Sequence, residues 1–185
     1  MPMHKIIYLL LFVLSVAACK SPEARRPVQR ISGSFIKESA ERNKELYQQE
    51  EAIITELIAQ NPETDFETSP NGFWYFYNKK DTLSSTMPKK GDVVTFTYDV
   101  KNLEGTTIVS EAENGLQQYQ VDESNQELIS GIKDGIKLMK EGETVTFIFP
   151  SYKAFGYYGI VEKLATNTPI QSTVTLQSIE ITQEN

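Results

Sequence analysis

Two stretches of the chain alternate apolar and polar residues at a period of two, and the segment between them switches to a period of three and four. No other feature limits the fold as tightly. After Gly91-Asp92, residues Val94, Phe96, Tyr98 and Val100 point one way and Thr95, Thr97 and Asp99 the other, as in a strand with one face on a core. Val145, Phe147 and Phe149 alternate in the same way with Thr144, Thr146 and Ile148 as far as Pro150, which ends a strand because it has no N–H to donate. Between them, over 127–140, Leu128, Ile129, Ile132, Ile136 and Met139 recur at helical spacing, with Gly142 placed to end a helix just beyond Glu141. The aromatic run Phe73-Trp74-Tyr75-Phe76-Tyr77 lies between turn-forming residues and reads as a first strand. Asn102-Leu103-Glu104-Gly105 closes a hairpin into 106–110, and a last strand covers 173–181. The expected architecture is α+β: a mostly antiparallel, curved sheet, a half barrel, wrapped over one short helix.

This domain is assigned to 66–185, and the 185-residue chain leaves room for little more than one core. Upstream, 34–62 is rich in Glu, Lys, Gln, Ala and Leu, with Leu46, Ile53, Ile54, Leu57 and Ile58 near helical spacing. A helix is expected there, stopped by Asn61-Pro62. It serves either as a spacer docked on the domain or as a dimerising helix. Nearer the start, His4 and Lys5 precede an apolar run over 6–16 that is too short to cross a bilayer, followed by Ala17 and Ala18. That is the pattern of a signal peptide over 1–18. Residues 19–33 carry Lys20, Arg25, Arg26 and Arg30 among Pro22, Pro27 and Gly33. They form a polar tether, either solvated or lying against anionic lipid.

The formal charge of −7 argues against nucleic acid as a partner. His4 and Cys19 are the sole histidine and cysteine. The chain beyond Cys19 therefore holds no Ser-His-Asp triad, no cysteine nucleophile and no zinc site built on His or Cys. No calcium-loop spacing is present either, so neither a metal nor a cofactor is expected.

Two resemblances add to this reading. Val16-Ala17-Ala18-Cys19 resembles the bacterial lipobox, which implies cleavage before Cys19 and acylation of that residue. An ordinary secretory leader with an incidental cysteine is the alternative. Four stretches of the domain are similar to the FKBP family: Gly91-Asp92-Val93-Val94 leading to Tyr98; Leu103-Glu104-Gly105-Thr106; 127–132 with Gly135, Met139 and Gly142; and Pro150-Ser151-Tyr152-Lys153-Ala154-Phe155-Gly156. Their order and spacing span nearly all of 73–181. With the lipobox, the charged helix and the aromatic strand, the resemblance narrows to the gliding-motility-associated GldI type of that family.

The family resemblance implies a peptidyl-prolyl cis-trans isomerase whose clients are proline-containing polypeptides. It places Tyr98 on the wall of a pocket, Tyr119 and Val121 on two further wall positions, and Leu128 and Ile129 on the rim, where Ile129 offers its backbone amide to a substrate carbonyl. The floor, commonly tryptophan, is Ile132. The aromatic-aspartate pair after the hairpin reads Ile108-Val109, and the tyrosine that donates to bound peptide is replaced by Phe155. Tyr157 or Tyr158 is a candidate replacement donor, and Leu176 the candidate pocket-facing residue of the last strand. These departures imply reduced turnover. An exported, membrane-anchored isomerase for envelope or secreted proteins is thus expected, facing the periplasm and serving a motility or secretion complex. A non-catalytic module of the same shape, acting as a holdase or scaffold, competes with it.

Overall fold

The computed structural model describes residues 33–83, 86–123 and 126–182. Cys19, the leader and nearly all of the tether lie outside the described residues. The chain divides into two compact units, Met1–Glu38 and Ser39–Asn185. Of the first, only the opening of a helix is described. That helix, α1, runs Gly33–Ala59, matching the spacing of its apolar residues. The Asn61 side-chain amide donates to the Leu57 carbonyl at 2.7 Å, so an orphan acceptor of the last turn is satisfied where Pro62 forbids continuation. Among the described residues no helix is long and apolar enough to cross a membrane.

The second unit holds an open antiparallel sheet of eight strands. These are β1 (Glu67–Ser69), β2 (Phe73–Lys79), β3 (Val93–Tyr98), β4 (Val100–Lys101), β5 (Thr107–Val109), β6 (Gln117–Gln120), β7 (Thr144–Phe149) and β8 (Ile170–Glu180). A four-residue helix α2 (Glu111–Asn114) precedes β6, and α3 (Ser130–Ile136) precedes β7. The main order is β1-β2-β7-β8-β3-β6, with β4 and β5 branching beside β8. The strands read from alternation are all present. The last begins earlier than expected, at Ile170, because Phe149 and Ile148 pair with Ile170 and Gln171. The strand after Gly91-Asp92 is interrupted at Asp99, whose carboxylate accepts from the Thr173 amide at 2.8 Å.

The inner face of the sheet forms the main core. Phe73 of β2, Phe96 of β3, Phe147 and Phe149 of β7 and Leu176 of β8 are wholly buried with Ile132 and Ile136 of α3. The Phe147 and Phe149 rings stack at 5.4 Å. Helix α3 sits directly on them through two glycines, since a Cβ at Gly131 would stand 2.6 Å from the Phe149 ring and one at Gly135 2.8 Å from Phe147. The outer face is also covered: Ile54 of α1 and Ile148 of β7 are buried, and Leu57, Phe76 and Ile148 line one shared recess. This explains why Ile148, an outward residue of an alternating strand, is hidden from water, while Thr146 is buried with its hydroxyl bonded to Asn78 and Thr173.

Helix α3 is half the expected length. The apolar period over 127–140 describes burial, not backbone conformation. Ile129 is extended (φ −58°, ψ 143°) and helical structure starts only after it. At the far end, Leu138 and Met139 donate to Gly135 and Ile136 in tight three-residue turns. The next amide, that of Lys140, is taken by the Glu143 carboxylate at 2.8 Å, so no helical bond can follow. Gly142 (φ +82°) does not cap the helix but turns the chain into β7, donating to the Leu176 carbonyl at 2.7 Å.

Tyr75 of β2 gives a test of this packing. Its hydroxyl donates to Glu67 of β1 at 2.9 Å. Burial, and then the adjacent carboxylate, pushes the phenol up to about 12. A tyrosine held above its unfolded value of about 10 stabilises the fold fully below pH 10 and ceases to do so as pH rises through its folded value. Urea melts at pH 8, 10 and 11.5 should therefore show stability steady to pH 10 and then falling, with roughly 2 kcal/mol attributable to Tyr75. Tyr75→Phe should blunt that fall.

Candidate functional site

The site starts from an irregularity at the head of α3. The residue before a helix is usually Ser, Thr, Asp or Asn, whose side chain accepts from the first free amides. Here it is Ile129, which makes no side-chain cap. Its carbonyl accepts from the Lys133 amide at 3.2 Å, while its own amide donates to no described residue. A backbone donor is left open beside a half-buried apolar side chain.

Tyr98, at the end of β3, is also half-buried. Its ring lies 6.0 Å from that of Phe96. Its hydroxyl makes no hydrogen bond among the described residues, and burial alone pushes the phenol above its ordinary pKa. The group is therefore a neutral O–H at any physiological pH, partly dehydrated and available. Its backbone carbonyl is pinned by the Asn114 side-chain amide of α2 at 2.9 Å. Opposite Val100 in the sheet stands Val109 of β5.

Tyr98, Ile108, Val109, Ile129, Phe155 and Ile160 are all partly exposed and all pack against the core. Polar ties join the elements that carry them. Glu113 of α2 pairs with Lys163 of the long segment after β7. The Ser130 hydroxyl donates to the Lys153 carbonyl at 3.3 Å, and the Lys153 ammonium meets Asp134 of α3 at 2.8 Å. The segment itself leaves β7 at Pro150, turns through a 3-10 element at Ser151–Lys153 and carries Phe155 just beyond it.

Behind these residues lie others expected at the site. Ile132, Val121 and Leu176 have no exposure, and Tyr119 and Leu128 very little. Ile132 is a buried core residue of α3. Val121, Tyr119 and Leu176 differ from the expectation of an open wall: they back it from within the core, Leu176 as the cross-strand partner of Phe96. The Tyr119 hydroxyl accepts from the Asp122 amide at 3.0 Å, so its polar end is already engaged. Tyr157 and Tyr158 are 76% and 89% exposed and contact each other edge to face at 6.1 Å. Neither belongs to the core surface around Phe155, so the structure does not place them as its substitute donor.

Sequence reasoning missed Ile160, Asn114 and the ties through Ser130 and Lys153. Asn114 was legible in part, since an Asn-Gly pair marks a helix end. The others depend on contacts made across the fold.

The described part of the chain contains no histidine or cysteine. Among the described residues no group of three or more carboxylate, imidazole or thiol side chains stands close enough to hold a metal. What these residues offer is half-buried apolar side chains, with a phenol and a backbone amide that have no partner among the described residues. Such groups can grip an apolar ring and orient a carbonyl, and they supply no strong acid, base or nucleophile.

Comparison with known proteins bears on this geometry. The family model for FKBP-type peptidyl-prolyl cis-trans isomerases matches residues 84–177. The chain is 30% identical over 143 residues to the probable FKBP-type peptidyl-prolyl cis-trans isomerase FkpA of Neisseria meningitidis serogroup B (strain ATCC BAA-335 / MC58), a match covering 77% of this chain. It spans about half the length of that relative, 48%. A solved peptidyl-prolyl cis-trans isomerase from Pseudomonas syringae pv. tomato superposes with a TM-score of 0.57 at 16% identity, covering 75% of this chain and 96% of that one. FkpA from Escherichia coli superposes with a TM-score of 0.52 at 20% identity, covering 94% and 81% respectively. At those identities the likeness to the solved structures is one of fold.

Proposed function

The chain belongs to the FKBP-type peptidyl-prolyl cis-trans isomerase family, and we propose that it catalyses rotation about X-Pro bonds in polypeptide clients. The observations that support this reading are a Tyr98 hydroxyl and an Ile129 amide with no hydrogen-bond partner among the described residues, each beside a half-buried apolar side chain packed on the core that holds Ile132. Rotation of an X-Pro bond must cross about 18 to 20 kcal/mol because twisting destroys amide resonance. No covalent step is needed. A dry pocket that holds the proline ring while the preceding carbonyl swings favours the twisted amide, whose charge is less separated than in the planar one. The Ile129 amide takes a substrate carbonyl and fixes register, and the Tyr98 hydroxyl is a second donor.

Turnover is reduced relative to a pocket with a full set of donors. Phe155 presents a ring without a hydroxyl, and Ile108-Val109 presents no carboxylate. One neutral hydrogen bond made only in the transition state is worth about 0.5 to 1.5 kcal/mol, so Phe155→Tyr should raise kcat/KM by up to roughly tenfold. The measurement is acceleration of proline-limited refolding by the soluble domain, compared with the variant. No acceleration by the unaltered domain would overturn the catalytic reading. The apolar Ile108-Val109 pair favours a second one, a non-catalytic module that grips proline-containing segments. Retained peptide binding without acceleration would select it.

The leader and Cys19 support attachment to a membrane through acyl chains, each buried methylene contributing about 0.8 kcal/mol. Clients are then envelope or secreted proteins on the periplasmic side, with components of a gliding or secretion machine among them. Incorporation of labelled fatty acid that survives Cys19→Ser would rule out Cys19 as the attachment point, and no incorporation in the unaltered chain would sink the anchoring.

A further inference from the structure

Helix α1 contains one buried carboxylate, and it is committed to the segment that carries Phe155. Glu50 is 3% exposed. Its Oε2 accepts from the Ser151 amide at 2.7 Å and its Oε1 from the Ser151 hydroxyl at 2.6 Å. Ser151 is itself 1% exposed. It opens the three-residue turn Ser151–Lys153, and each residue of that turn is fastened to a different part of the fold. Tyr152 meets the Tyr47 ring of α1 at 4.8 Å and donates from its hydroxyl to the Gly72 carbonyl at 3.0 Å. Lys153 binds Asp134 and receives the Ser130 hydroxyl, one residue from Ile129. The Ser151 carbonyl in turn accepts the amides of Ala154 and Gly156, which bracket Phe155.

We propose that Glu50 is a positioning residue for the isomerase site, holding the Phe155 wall at its working distance from Ile129 through Ser151. This rests on the isomerase reading above. The physical argument is one of unmet demand. A buried amide and hydroxyl that lose their acceptor have no substitute in place, and leaving them unpaired costs more than the bond itself contributes. The turn must therefore shift toward water, and Phe155 shifts with it. A wall that spends less time in place lowers apparent affinity for the proline ring in proportion to the fraction of molecules still competent. On this account α1 is a working part of the site, not a spacer.

The test uses the soluble chain without its leader and four variants: Glu50→Ala, Glu50→Gln, Ser151→Ala and Ile54→Ala. Alanine is a strong helix former, so α1 itself is unharmed by the first. Glu50→Ala should raise KM for a proline peptide about three- to tenfold with kcat within about twofold, the signature of lost uniform binding. Glu50→Gln retains an acceptor and should restore most of the affinity. Ile54→Ala removes a fully buried side chain from the same helix and keeps the groups of both Glu50–Ser151 hydrogen bonds. It should lower the melting temperature while leaving KM at the unaltered value. The Ser151 amide proton resonance should move upfield in Glu50→Ala, a reading of the clamp that needs no turnover. If Glu50→Ala does not fold, Ser151→Ala carries the test with a smaller rise in KM. An unchanged KM in a folded Glu50→Ala, or an equal rise in Ile54→Ala, overturns the positioning role. Absence of catalysis in the unaltered chain, with the Ser151 resonance still responding to Glu50→Ala, overturns the isomerase reading and spares the clamp.

Discussion

Truncating Tyr98 to alanine is expected to lower kcat/KM for X-Pro isomerisation by more than tenfold, with the domain still folded. Two contributions disappear together. The ring supplies apolar surface beside Phe96, and burying an aromatic side chain against a substrate ring is worth about 1.5 to 3 kcal/mol. The hydroxyl supplies a donor that no described residue uses, worth about 1 kcal/mol when engaged. Tyr98→Phe separates them: it should keep the wall and lose less than tenfold. Because the phenol is held above its ordinary pKa, activity that depends on it should be flat from pH 6 to 9. The same refolding assay reads all of this. A folded alanine variant matching the unaltered domain would mean that catalysis, if any, resides elsewhere.

Gly131→Ala should destabilise the domain by about 2 kcal/mol, opposite in sign to the usual result of replacing a helical glycine. Alanine ordinarily gains up to about 1 kcal/mol in a helix interior. Here the added Cβ would lie 2.6, 2.7 and 2.8 Å from three atoms of the Phe149 ring. That ring is fully buried and stacked on Phe147, so it has little room to retreat. Overpacking of this kind costs about 1 to 3 kcal/mol. The urea midpoint reports the loss, and a double variant tests its cause. Phe149→Leu alone should destabilise, yet combined with Gly131→Ala the pair should cost less than the sum of the two, because the smaller side chain vacates space for the methyl. Additive losses would show that the contact between α3 and β7 is not the reason.

The strands were legible because a half-buried sheet imposes its own rhythm on the residues: Val94, Phe96, Val145 and Phe147 are buried where alternation put them. The length of α3 was not legible, since Leu128 and Met139 continue a helical spacing after the backbone has left the helix. Burial selects apolar residues whether the chain reaches the core as helix or as turn. At the candidate site, Tyr98, Ile129 and Phe155 came from family resemblance and are each partly exposed against the core, while Val121 and Leu176 from the same resemblance are wholly covered. Glu50 was invisible because Gln48-Gln49-Glu50-Glu51 reads as a solvated helical face. Its partner lies 101 residues away, and no local pattern encodes that meeting.

Strand β8 stands at the centre of the sheet although it is the last of the strands, paired with β7 on one side and with β3 and β4 on the other. Until those eleven residues arrive, β2-β7 and β3-β6 are separate hairpin-like pieces with raw edges and no common core. Long-range pairings of this kind delay folding until the participating segments coexist. A nascent chain of this sequence therefore stays threadable until its final strand has been synthesised, and locks abruptly once that strand slots between the waiting halves.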